Sequence, residues 1–218
     1  ALKDRGVDTV LATCACGGID SALAVGEFVV PHDVIDRTTG RAKTFFERCG
    51  LGVLRHAEPF CPSCRAALVA ALAEAGLPHA AEGVCAVTDG PRLETPAEIR
   101  ALAAAGATVV GMTLAPEFAL ARELEMCYAP LLWVVNPAEG TADRPYRPDV
   151  LFEGMATAAE QAAADAAAER VPAVLEAALG RLEGERACYC RRAMQRYRDE
   201  GVIGDDWRAW IEKGARRL

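Results

Sequence analysis

Apolar and polar positions along the chain follow two alternating periods. Short β-branched or apolar runs, bounded by glycine, proline or acids, predict strands at Val7–Thr13, Val25–Val30, Glu82–Asp89, Ala107–Gly111 and Leu131–Val135. Stretches with helical character lie between and after them. Cys61–Ala75 is rich in alanine and leucine, has proline near its start and stops at Gly76. Thr95-Pro96-Ala97-Glu98 combines a hydroxyl N-cap, proline at the first helical position and an acid two residues later, so a helix starts there and ends near Ala105, before Gly106. Another helix opens near Pro116-Glu117. From Phe152 to Leu182 alanine-rich helix dominates, with a break expected at Val171-Pro172, where proline lets a new helix begin. Cys14–Gly18 reads as a small-residue turn, Pro31–Thr39 as a polar loop, Thr44–Phe60 as loop without a period, and Ala138–Pro148 as a charged loop. Strands alternating with helices make the chain α/β.

Candidate chemistry concentrates between Gly90 and Tyr128. Met112 and Thr113 follow a predicted strand, and Glu94 lies just before a helix cap. Ligands in α/β sheets bind beyond the carboxyl ends of strands, so Met112 and Thr113 stand where a small molecule is held. Asn136 repeats that position on the next apolar strand, and two neighbouring strands could present polar groups to one crevice. Taken alone, Asn136 reads as a strand-ending turn formed with Pro137, and His32 as a loop hydrogen-bonder rather than a catalytic group. The backbone of Cys14–Gly18 could approach an anion closely.

Composition narrows the partners. The chain has 218 residues, 52% of them hydrophobic and 25% charged, enough for one substantial core. A net charge of −7 offers no basic field for nucleic acid or an anionic membrane. No apolar run reaches the 18 or so residues of a membrane span, and the expected location is cytoplasmic. Nine cysteines include C-P-S-C at Cys61 and Cys64 and C-Y-C at Cys188 and Cys190. A zinc site asks for two CxxC-like pairs, and only one true CxxC is present, so the thiols read as small buried hydrophobes. Arg191, Arg192, Arg196 and Arg198 predict a basic helical face. Ala-Leu-Lys-Asp-Arg-Gly at the start has the composition of a last helical turn, which leads us to expect preceding sequence.

GPRLETPAEIR, then GATVVGMTLAPEFALARE and VVN, preceded by TCACGGI, VGEFVVPHDVIDRTTGR and AEPFCPSCR, resemble the trimeric purine nucleoside phosphorylases and the related methylthioadenosine and methylthioinosine phosphorylases. The likeness covers roughly Ala1 to Asn136. It implies a phosphorylase-like mixed sheet flanked by helices; outside the likeness, we expect one domain over residues 1–182 and a C-terminal helical tail over 183–218 packed on it. It implies a homotrimer or hexamer that uses inorganic phosphate as co-substrate, with no cofactor and no metal. It implies phosphate contacts from the Ala15 amide and the Thr113 hydroxyl, with Cys14 where the family usually has Asn or Thr. Met112 would pack on the ribose, Leu93 stands where phenylalanine is common, Glu94 would accept from the purine N1–H, and Asn136 would bond the N7/O6 edge. Glutamate and asparagine at these positions imply a 6-oxopurine nucleoside such as inosine, guanosine or methylthioinosine; adenine-using relatives typically carry serine and aspartate. A methylthioadenosine phosphorylase and a non-catalytic purine-binding or assembly subunit are the alternatives. The family's N-terminal glycine-rich phosphate loop and its later Arg-His loop have no counterpart in this chain. Heat-adapted relatives with a C-terminal CxC imply disulfides as a second reading of the thiols.

Overall fold

The computed structural model describes residues 1–47, 50–150, 155–182 and 187–215. Seven strands, β1 (Thr9–Gly18), β2 (Phe28–Val29), β3 (Asp33–Asp36), β4 (His79–Ala80), β5 (Val84–Val87), β6 (Val109–Gly111) and β7 (Cys127–Pro137), form one mixed sheet. Their order is β3-β5-β6-β1-β7-β2-β4. Among the described residues six α-helices accompany it: α1 (Pro62–Glu74), α2 (Pro96–Ala104), α3 (Leu114–Glu123), α4 (Ala158–Gly180), α5 (Gln195–Asp199) and α6 (Trp207–Ala215). The expected flanked mixed sheet is therefore present.

The apolar run of β7 is continuous because both faces of the strand are covered. Cys127, Ala129 and Leu131 join a core with α1 and α4, built on Leu68, Leu72, Val171 and Val174. Tyr128, Leu132 and Val134 join a core on the other side with Cys14, Cys16, Cys85 and Leu114. A third cluster seats Ile99 and Leu102 of α2 against Ala86 and Val110. Two-residue periodicity sorts one strand into two cores.

The cap signals hold at atomic detail. Thr95 Oγ1 accepts from the Glu98 amide while the Glu98 carboxylate accepts from the Thr95 amide, which starts α2 just before the site. Ala115, at φ −101° and ψ 134°, interrupts the first turn of α3, so uninterrupted helix opens at Pro116 as the sequence suggests.

Four expectations change. Cys14–Gly18 is not a turn: β1 continues through Gly18, because every residue from Thr9 pairs with β7, with a register shift between Cys16 and Gly17. The polar loop 31–39 contains β3, which pairs in parallel with β5. The helix at Val171-Pro172 does not restart, and α4 runs through. Pro172 and Ala168, the residue whose carbonyl loses its partner, both sit on the exposed face, where water can hydrate that carbonyl. The arginines of the tail make no uniform basic face, because Arg191 pairs with Asp8, Arg196 with Glu200 and Arg198 with Glu125. The expected helix start at Phe152, the lone Cys49 and the 182/183 boundary fall on or beside residues outside those described.

After Leu182 the chain returns to the domain. Met194, Ile203 and Trp210 pack with Phe46 and Leu51. Arg198 donates to both carboxylate oxygens of Glu125 at 2.9 and 2.7 Å, and the Met194 amide donates to Glu125 Oε1 at 2.8 Å.

Candidate active site

Three strands assemble the site, and β1 lies between the other two. Gly17 pairs with Val110 of antiparallel β6 and with Asn136 of parallel β7. The chain leaving β6 through Gly111 and Met112 therefore runs back beside Cys16 and Ala15, while β7 ends at Asn136 on the other flank. The two polar strand ends are thus not neighbours, contrary to the sequence expectation. They meet because the antiparallel pairing folds one end back across β1.

The result is a cavity of about 370 Å³. Ala15, Leu93, Glu94, Met112, Thr113 and Asn136 all line it, so the six residues that the resemblance implied as substrate contacts come to one place. Thr13 and Ala15 are the exposed positions of β1 here, and Cys14 and Cys16 the buried ones. Burial pushes the Cys16 and Cys85 thiols up, which leaves them protonated and inert beneath the cavity. The Cys14 sulfhydryl donates to the Ala15 carbonyl at 3.0 Å.

Two buried polar side chains define the chemistry. Glu94 is 8% exposed and Asn136 is 5% exposed. Thr88 Oγ1 donates to Glu94 Oε1 at 2.5 Å, which orients the carboxylate; among the described residues its Oε2 accepts no hydrogen bond. One N–H of Asn136 Nδ2 donates to the Pro137 carbonyl at 2.7 Å, which sets the amide plane and leaves the second N–H as a donor and Oδ1 as an acceptor. At the start of α3 the Thr113 side chain makes no capping bond, so its hydroxyl remains available to a ligand. Met112 is held by the turn before α2. Gly90 has φ +64°, and a Cβ there would lie 2.5 Å from the Met112 sulfur. Only glycine suits both the backbone angle and that contact.

The family model for the phosphorylase superfamily matches residues 1–180. The chain belongs to the phosphorylase superfamily. Within it, the chain is 50% identical over 143 residues to a protein of Pseudomonas syringae pv. tomato named "Probable S-methyl-5'-thioinosine phosphorylase", covering 64% of this chain and 58% of the relative. It is 37% identical over 202 residues to the 6-oxopurine nucleoside phosphorylase of Pyrococcus furiosus, covering 89% of this chain and 73% of that one. Among solved structures, a methylthioadenosine phosphorylase sourced from an antarctic soil metagenomic library superposes with a TM-score of 0.75 at 28% identity. That match covers 90% of this chain and 67% of the other.

Sequence reading assigned no role to Arg41, which closes the quoted block ending in TTGR. In this superfamily member its Nη1 donates to the carbonyls of Met112 at 2.8 Å and Ala115 at 2.7 Å, and its Nη2 to those of Asp89 at 3.0 Å and Thr88 at 3.3 Å. One guanidinium thus joins the segment after β5, which carries Thr88, to the segment after β6, which carries Met112 and Thr113. The only signal in the sequence was an arginine following a loop glycine. Arg41→Met is expected to destabilise the fold by about 2–3 kcal/mol, because several bonds to a charged donor are lost together. Thermal melts of the two proteins test this, and an unchanged melting temperature would refute it. His32, by contrast, lies outside the cavity lining and accepts from the Gly83 amide at 3.2 Å, the plain loop role.

Proposed function

We propose that this chain carries the nucleoside-binding face of a pentosyltransferase that phosphorolyses a 6-oxopurine nucleoside: inosine, guanosine or methylthioinosine. The observation that carries this reading is the convergence of Glu94 and Asn136, distant in sequence and both buried, on one cavity with Met112 and Thr113.

A carboxylate accepts hydrogen bonds and cannot donate them. Glu94 Oε2 therefore suits the N1–H of hypoxanthine or guanine and opposes the bare N1 acceptor of adenine. Phosphate oxygen attacks C1′, the C1′–N9 bond breaks, and its electron pair passes into the purine ring. The second N–H of Asn136 Nδ2 donates to the N7/O6 edge, where negative charge develops, and this contact strengthens as the bond breaks. The Thr113 hydroxyl and Ala15 amide orient phosphate, and Met112 packs against the ribose. No group forms a covalent intermediate, so positioning and hydrogen bonding supply the rate.

The names of the Pseudomonas and Pyrococcus relatives support the 6-oxopurine reading. The structural likeness to a methylthioadenosine phosphorylase supports a second one, cleavage of methylthioadenosine, which Glu94 opposes. We further propose a cytoplasmic homotrimer or hexamer, with residues 1–182 as the domain and 183–218 packed on it. Among the described residues no helix is long and apolar enough to cross a membrane. Incubation with inosine, guanosine, methylthioinosine or methylthioadenosine in phosphate buffer tests the reading through the products. Free 6-oxopurine and a sugar 1-phosphate are expected; cleavage of methylthioadenosine alone overturns the base assignment, and free ribose overturns phosphorolysis.

A further inference from the structure

The thiols that looked separate in the sequence form a group. Cys61 at the N-cap of α1, Cys127 at the start of β7, and Cys188 and Cys190 ahead of α5 place their four sulfurs within 4.8 Å of one another. Cys61, Cys127 and Cys190 are almost fully buried, and Cys188 is partly so. No disulfide joins any two of them. The Cys127 and Cys188 sulfurs are 3.5 Å apart. That is far beyond a bond of about 2.05 Å. It is close to the edge of about 3.8 Å that a tetrahedron acquires when each sulfur lies about 2.3 Å from a central metal.

The surroundings suit a metal–thiolate group rather than packed neutral thiols. Arg122 Nη1 points to the Cys190 sulfur at 3.8 Å, a cation beside a group in which four thiolates outweigh a divalent ion. Thiols serving as small hydrophobes need no such grouping: Cys14, Cys16 and Cys85 lie apart from it in the other core. A CxC from the tail, one residue of a CxxC and a strand cysteine supply four ligands without two CxxC motifs, which explains why spacing alone argued against a site.

We propose that Cys61, Cys127, Cys188 and Cys190 bind one zinc ion in a structural site. Four protein ligands close the coordination shell and leave no place for substrate. The site lies at the opposite end of β7 from Asn136, roughly 30 Å away at strand rise. It fastens the segment leading into α5 and α6 to the start of α1 and of β7. Cys64, beside Cys61 and Cys127, is a fifth sulfur outside the four.

The test is metal content of the whole chain, purified anaerobically with reductant and zinc present. One zinc per chain is expected. Cobalt(II) exchanged into the site should give the intense visible bands of tetrahedral cobalt and a thiolate-to-cobalt charge-transfer band. Cys127→Ser and Cys188→Ser should lose the metal, and Cys64→Ser should keep it. Protein that stays metal-free when titrated with zinc or cobalt overturns the proposal, as does a disulfide among the four in the reduced preparation. Zinc kept by Cys188→Ser but lost by Cys64→Ser overturns the ligand assignment. The wild-type measurements decide even if a variant does not fold, and they are independent of any nucleoside assay.

Discussion

Asn136→Ala is expected to lower kcat/KM for phosphorolysis of inosine by about 10²–10³-fold, the usual effect of removing a group that stabilises charge developing in the transition state. Most of the loss should fall on kcat, because the contact to the N7/O6 edge is stronger in the transition state than in the bound nucleoside. The side chain also bonds the Pro137 carbonyl, so a stability loss of about 1 kcal/mol accompanies it. Steady-state kinetics beside a thermal melt separate the two effects. A variant with unchanged kcat would remove Asn136 from the chemistry.

Replacing Glu94 by glutamine is expected to weaken base discrimination by about 100-fold. The amide matches the carboxylate in size but loses the charge that strengthens its bond to N1–H, which costs about 1–2 kcal/mol with the 6-oxopurine. It also gains N–H donors that adenine N1 can accept, which lowers the barrier to the competing base. Thr88 still has an oxygen to donate to, so the fold should hold. Hypoxanthine and adenine binding measured by calorimetry on both proteins would show the ratio directly. If hypoxanthine and adenine affinities are unmoved, Glu94 does not read the base.

Local signals in the chain were sufficient for the starts of α1, α2 and α3 and for five of the strands, while the quoted motifs named the residues that line the cavity. Thr95 and Glu98 cap α2 through atoms three residues apart, and Leu131–Val135 is apolar because it is covered on both faces; neither needs distant knowledge. Pairing decided the rest. Cys14–Gly18 has turn-like composition but is strand, because β6 and β7 supply hydrogen-bonding partners on either side that small residues can accept. Likewise, α4 passes through Pro172 because the affected carbonyl faces water, a matter of orientation that the order of residues does not state.

By itself the sequence determined an alternating α/β chain and named Ala15, Leu93, Glu94, Met112, Thr113 and Asn136, since propensity, capping and quoted motifs are written in neighbouring residues. Only the tertiary structure decided that β1 runs between β6 and β7, that Arg41 binds four carbonyls across two loops, and that Cys61, Cys127, Cys188 and Cys190 share one spot. Those outcomes depend on strand register and on contacts between residues up to 129 positions apart, which no local pattern of hydrophobicity encodes.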